Sequence, residues 1–208
     1  MVTRCLAVLL FLLSLSSAYS LAQKADASFV VGGSFVSDSK VVFTTSPSFT
    51  NSIQTSHHVF LEGALGVRVF NAQVAAFYME LPIAAVPSQK VTFSNATTAF
   101  DHVSSVFITP GFRLKLAPGA PIAPWVSVGG GWAHYSADFA PTTNKGAIQY
   151  GGGLDFRTPV PHLRMRGEVR DFVTGDPNLF QATFPPGTGQ PGIHRHNVLV
   201  GGGVVLTF

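Results

Sequence analysis

Two side chains in this sequence have the types and spacing for acyl chemistry: His134 and Ser136, in the run Trp132-Ala133-His134-Tyr135-Ser136. Residues two apart on a strand point the same way, so an imidazole at 134 can take the proton of a hydroxyl at 136 as it attacks an ester. The remaining histidines suggest less. His57 and His58 are adjacent and point to opposite faces, while His194 and His196 share one. A metal would need a third ligand, such as His102, at the same rim. No metal and no cofactor are expected. The single cysteine, Cys5, stands in a segment that reads as an export leader, which leaves the mature chain without a disulfide or a thiolate nucleophile. Three glycine triplets, at 129–131, 151–153 and 201–203, invite comparison with phosphate loops. None leads into a helical pattern or carries the Lys-Ser/Thr such a loop needs, so they read as room for large neighbours inside strands.

The elements that would hold these residues are strands. Residues 1–22 have a leader's layout, with Arg4, an apolar stretch from Leu6 to Leu13, and Ser20-Leu21-Ala22 as a cleavage site. The remainder, 23–208, is read as one domain. Only 11% of the chain is charged and 46% is apolar, against about 25% charged in an ordinary soluble domain. Past the leader, no run approaches the roughly 18 apolar residues of a membrane helix. The nearly balanced charge, 13 Lys and Arg against 10 Asp and Glu, excludes a nucleic-acid binder.

Alternation predicts strands at about 27–37, 56–70, 73–86, 102–116, 122–137, 146–158, 162–174 and 195–208. Short connections near 71–72, 117–121 and 159–161 alternate with long ones at 38–55, 87–101, 138–145 and 175–194. Aromatic residues, including Phe77, Tyr78, Trp125, Trp132, Tyr135, Tyr150, Phe156 and Phe172, are expected at strand ends or on the apolar face.

Charge placement is more telling. On the expected strands, Val106, Ile108, Phe112, Leu114 and Leu116 oppose Arg113 and Lys115, and Leu163, Met165, Val169 and Val173 oppose Arg164, Arg166, Glu168 and Arg170. Glu62, Glu80, Arg68, Asp155 and Arg157 also fall opposite the apolar stripe, whereas Asp171 is expected at the outer end of its strand. A soluble protein puts charge outside. Here the charges point in, as a lipid-facing barrel requires, and they are expected to form an ion-pair network that leaves no open channel.

The last strand alternates Val198, Val200, Val204, Leu206 and Phe208 on one face. With the leader, the eight alternating strands and the charged interior, this resembles the OmpA/OmpX-type eight-stranded outer-membrane β-barrel superfamily. The stretches Trp125–Trp132 and Tyr150–Arg157 resemble strands of the generic outer membrane protein beta-barrel domain. The resemblance implies an all-β, eight-stranded antiparallel transmembrane β-barrel with a cleaved signal peptide, and no peptidoglycan-binding domain after it. It implies a bacterial outer membrane location with both termini periplasmic, contact with outer-membrane lipids and lipopolysaccharide, and a monomer. Val204, Leu206 and Phe208 would be the signal read by the barrel assembly machinery. The implied role is structural or surface-binding and non-catalytic. Two alternatives stay open. One is a narrow pore or ligand-binding barrel lined by Arg164, Arg166, Glu168 and Arg170. The other is a lipid A esterase, since His134-Tyr135-Ser136 resembles the His-x-Ser pair of lipid A deacylases. This chain continues Ala137-Asp138 where that pattern has Asn, and offers Asp155 where that family has Glu on the next strand.

Overall fold

A computed structural model describes residues 25–36, 39–43, 49–55, 58–93, 99–137, 140–175 and 195–208. The expected leader, the connection expected at 175–194 beyond its first residue, and the side chains of His57, His102 and His194 lie outside the described residues.

Eleven strands follow one another: β1 (Ala25–Val36), β2 (Ser39–Phe43), β3 (Phe49–Thr55), β4 (His58–Asn71), β5 (Ala75–Phe93), β6 (Ala99–Ile108), β7 (Gly111–Leu116), β8 (Ile122–Ala137), β9 (Ala140–Arg157), β10 (Leu163–Thr174) and β11 (Arg195–Thr207). Every pairing is antiparallel, and β1 pairs with both β4 and β11, so the sheet closes on itself. β6 and β7 are one stave broken at Thr109-Pro110, because Pro110 has no N–H for the ladder. Gly130 N donates to Pro110 O at 3.1 Å and bridges the gap. With β2 and β3 forming a side hairpin, the closed wall has eight staves.

Closure answers a physical demand. In lipid no water satisfies an open strand edge, so only a closed sheet can cross. The outer face fits that solvent: Leu65 is 62% exposed and Val128 55%, while Arg113 and Arg170 on the inner face are 1% and 0% exposed. Alternation therefore reads as expected on each described stave. The aromatic residues lie near strand ends or on the apolar face as expected, but not all of them face outward. Phe77, Trp132, Tyr150 and Phe156 point outward, but Tyr78, Trp125, Tyr135 and Phe172 are buried in the bore. Parity decides this: Trp125 shares its side with Ser127, opposite Val126 and Val128.

Several strands also outrun their expected limits. β5 continues past Pro87 to Phe93 with a register shift between Val86 and Gln89, and β9 begins at Ala140, inside the connection expected at 138–145. The β2–β3 hairpin occupies part of the expected loop 38–55, and Ile53 to Thr55 pair with Val91 to Phe93. Beyond the lipid a strand no longer needs an apolar face, so polar residues there stop signalling strand while the backbone goes on pairing.

The β1–β11 seam is tight. A Cβ on Gly203 would run into the Phe29 carbonyl oxygen and stand 2.7 Å from Val30 Cα, whereas one on Gly63 would meet nothing within 4 Å. Gly203→Ala should therefore lower stability by about 1–3 kcal/mol in urea unfolding from lipid vesicles. Gly63→Ala, in open space on β4, should leave the unfolding midpoint unchanged.

Candidate functional site

Nine charged side chains from six strands meet inside the wall. They are Asp26, Glu62, Glu80, Arg113, Lys115, Asp155, Arg166, Glu168 and Arg170, all buried. Arg113 Nη2 reaches both Asp26 oxygens at 2.7 and 2.6 Å, and Nη1 stands 3.4 Å from Glu80. Arg166 grips Asp155 with two donors, at 2.8 and 3.1 Å, and Lys115 Nζ takes the same carboxylate at 2.5 Å. Arg170 faces three glutamates, at 2.7 Å from Glu80, 3.0 Å from Glu62 and 3.4 Å from Glu168. Trp125 stands among these cations. The guanidinium carbons of Arg166, Arg170 and Arg113 lie 4.8, 5.0 and 5.9 Å from its ring centroid.

The glycine triplet in β9 makes the space. A Cβ on Gly151 would stand 2.8 Å from Arg170 Cγ, and one on Gly153 the same distance from Trp125. Sequence reasoning missed two members of the network, Asp26 and Trp125. Asp26 lay one residue before the expected start of the first strand, although its parity with Ser28 and Val30 marks the inner face.

Three residues expected in the network stand apart from it. Arg68, Arg157 and Arg164 line the mouth at the end that carries the short turns. Arg157 donates to Gly119 O at 3.0 Å, and Arg164 donates to Pro118 O at 2.8 Å and to Ala120 O at 3.4 Å. On the other side of the network, the bore is filled by apolar side chains that include Val30, Phe60, Phe107, Tyr135, Phe172 and Leu199. Phe107 packs on Phe172 at 4.8 Å and meets Tyr135 edge-on at 6.1 Å, while Tyr135 and Thr174 share a hydrogen bond of 2.8 Å. Charge in the middle and hydrocarbon beyond it close the bore.

His134 and Ser136 share the outer face, as their spacing requires. The imidazole Nδ1 is hydrogen-bonded to Asn144 Oδ1 at 2.8 Å, and among the described residues no hydrogen bond joins it to the Ser136 hydroxyl. Asp155 cannot orient it, because that carboxylate lies inside the wall between Lys115 and Arg166. A strand tilted by about 40° climbs roughly 2.5 Å per residue, so about ten residues cross an apolar band of about 25 Å. Asn144, the cross-strand partner of His134, is farther than that from Arg157 at the short-turn end of β9, which puts His134 and Ser136 beyond the band.

Asp171 is the one carboxylate among the described residues that turns toward the outside within the staves. By the same climb it lies in the upper part of the band, about 20 Å above Leu163. Tyr150 Oη donates to its Oδ2 at 2.7 Å and His196 Nδ1 contacts the same oxygen at 2.6 Å, which offsets the cost of its position.

The network makes a quantitative expectation. Arg170→Met leaves three glutamates around an absent cation, and removing one partner of a buried ion pair costs about 3–5 kcal/mol. Arg157→Met at the mouth removes one bond to a carbonyl and should cost about 1 kcal/mol. Urea unfolding of both variants in vesicles checks the contrast.

No protein-family profile matches the chain, and no curated protein matches it by sequence. Solved structures do match. The crystal structure of the outer membrane protein OprG from Pseudomonas aeruginosa superposes with a TM-score of 0.54 at 12% identity, over 89% of this chain and 95% of that one. The crystal structure of Neisserial surface protein A gives 0.51 at 10% identity, over 89% and 97%. At such identities the likeness speaks for the fold. This chain has the fold of the small eight-stranded outer-membrane β-barrels.

Proposed function

We propose that this chain is a non-catalytic barrel of a bacterial outer membrane that works through its outer surface, in envelope integrity or surface binding. The observation that carries this reading is the length of its staves. β5, β8 and β9 have 19, 16 and 18 residues, against the 9–11 needed to cross the apolar band. At about 2.5 Å of climb per residue, β9 alone extends roughly 45 Å, so about 20 Å of paired wall stands clear of the lipid. The excess lies at the end opposite the short turns, where the β2–β3 hairpin widens the sheet. A closed bore beneath a projecting wall favours a role on the wall.

In this reading, residues 1–22 direct export and are removed. The last strand presents Val204, Leu206 and Phe208 to the barrel assembly machinery, both termini face the periplasm, and the projecting wall stands outside among lipopolysaccharide. The barrel is a monomer. The His134–Asn144 bond and the inward Asp155 leave Ser136 without a relay, which supports the non-catalytic reading over lipid A ester hydrolysis.

Mass spectrometry of lipid A incubated with the refolded barrel tests this. Wild type and Ser136→Ala should both leave the acyl chains intact. In a strain lacking the gene, both should restore resistance to detergent equally, and deletion of 39–55 should fail to do so. Loss of an acyl chain with wild type alone would replace this reading with an esterase.

A further inference from the structure

The end of the barrel that carries the short turns holds a cup of about 460 Å³ lined by Arg68, Lys115, Arg157 and Arg164, with Asp26 and Tyr78 among its walls. A second hollow of about 330 Å³ beside it shares Arg157, Arg164 and Thr207 and adds His162. Arg157 and Arg164 stand directly opposite each other across the β9–β10 pair. Like charges in that position repel. They are held there nonetheless, because their donors are fastened to the carbonyls of residues 118, 119 and 120, in the turn that opens with Ala117 at φ 42°.

The interior acids cannot neutralise them. Asp26 is bound to Arg113, Asp155 to Arg166 and Lys115, Glu80 to Arg113 and Arg170, Glu62 to Arg170, and Glu168 to Arg170 and Arg166. Among the described residues, then, Arg68, Arg157 and Arg164 converge on one cavity without a carboxylate of their own. A counter-charge is expected from outside the chain.

We propose that this cup binds a phosphate-bearing anion, with Arg68, Arg157 and Arg164 as its ligands. Guanidinium forks that approach from opposite walls suit a tetrahedral group with several charged oxygens, whereas a carboxylate fills one fork only. The volume exceeds that of a bare phosphate, so the ligand is a phosphate ester or a polyphosphate. Of the buried side chains, Asp26, Tyr78 and Lys115 line the cup, and the ligand enters and leaves by the same mouth. The site does not depend on which side of the membrane the mouth faces, so its failure and that of the proposed function are separate results. A dissolved phosphorylated solute and a phospholipid headgroup share this chemistry, and the test separates them.

Calorimetric titration of the refolded barrel, in phosphate-free micelles, uses pyrophosphate in one arm and short-chain phosphatidylglycerol in the other. Saturable one-to-one binding is expected, weakened about ten-fold in Arg68→Gln and in Arg157→Gln, as loss of a charge-assisted hydrogen bond implies. Binding of pyrophosphate identifies a dissolved ligand, and binding of the lipid alone identifies a headgroup. On wild type, the bound probe should also shield Arg68, Arg157 and Arg164 from phenylglyoxal, read by peptide mass spectrometry, which keeps the test independent of how the variants fold. No saturable binding in either arm, unchanged affinity in both variants, or no shielding would overturn the proposal.

Discussion

Arg170 is the interaction on which the interior depends. It reaches Glu62 on β4 and Glu80 on β5, both far from it in sequence, and Glu168 on its own strand, and lies beside the Trp125 ring. A bore eight staves wide has room for side chains and little else. Charges placed there have neither bulk water nor lipid to fall back on, so each must find its opposite within the wall. β4, β5 and β10 are thereby tied across the barrel by one guanidinium. Gly151 and Gly153 follow from the same demand, because Arg170 and Trp125, with the carbonyls of Val169 and Gly167, take the volume their side chains would have used. The ladder closes the wall, and the charge network sets what can fit inside it.

Much of this was legible because lipid leaves a strong signature. A charge on the outer face is costly at mid-depth, so Arg113, Lys115, Arg166 and Arg170 betrayed the inner face, and Leu114, Met165 and Val169 the outer one. The same rule fell silent outside the band. Polar residues such as Lys145 end an apolar stripe, yet the backbone of β9 pairs on from Ala140. Inward aromatics are hard to read for another reason. A position near a strand end does not give direction, whereas parity assigns Trp125 and Tyr135 to the bore. Asp26 is hidden because the apolar alternation begins one residue after it, while the strand already runs from Ala25. The partners within the network could not be read from sequence at all, since spacing along a strand gives the face of a residue and not which distant stave lies opposite it.

The candidate dyad shows how far alternation can mislead about chemistry. His134 and Ser136 do share a face, but sharing a face leaves the imidazole free to choose another partner, and it takes Asn144. The acid nearest in sequence is on the wrong side of the wall. Polar residues at the projecting end of a barrel have a simpler reason to be there, which is that the wall continues into water. Among the described residues, the interior is arranged in three layers: guanidiniums without a carboxylate partner at the short-turn mouth, paired charge in the middle, and packed apolar rings toward the projecting end. The middle and apolar layers fill the bore and the mouth layer lines an open cup, which turns attention to the two ends.

Electrical recording tests the central claim, that the bore is shut, most directly. Purified barrel inserted into a planar lipid bilayer should give no stable conductance steps, because Phe107, Tyr135 and Phe172 fill the section that the ion network leaves. Reproducible ohmic steps that change size in Arg166→Gln would contradict the account and make this interior a pathway.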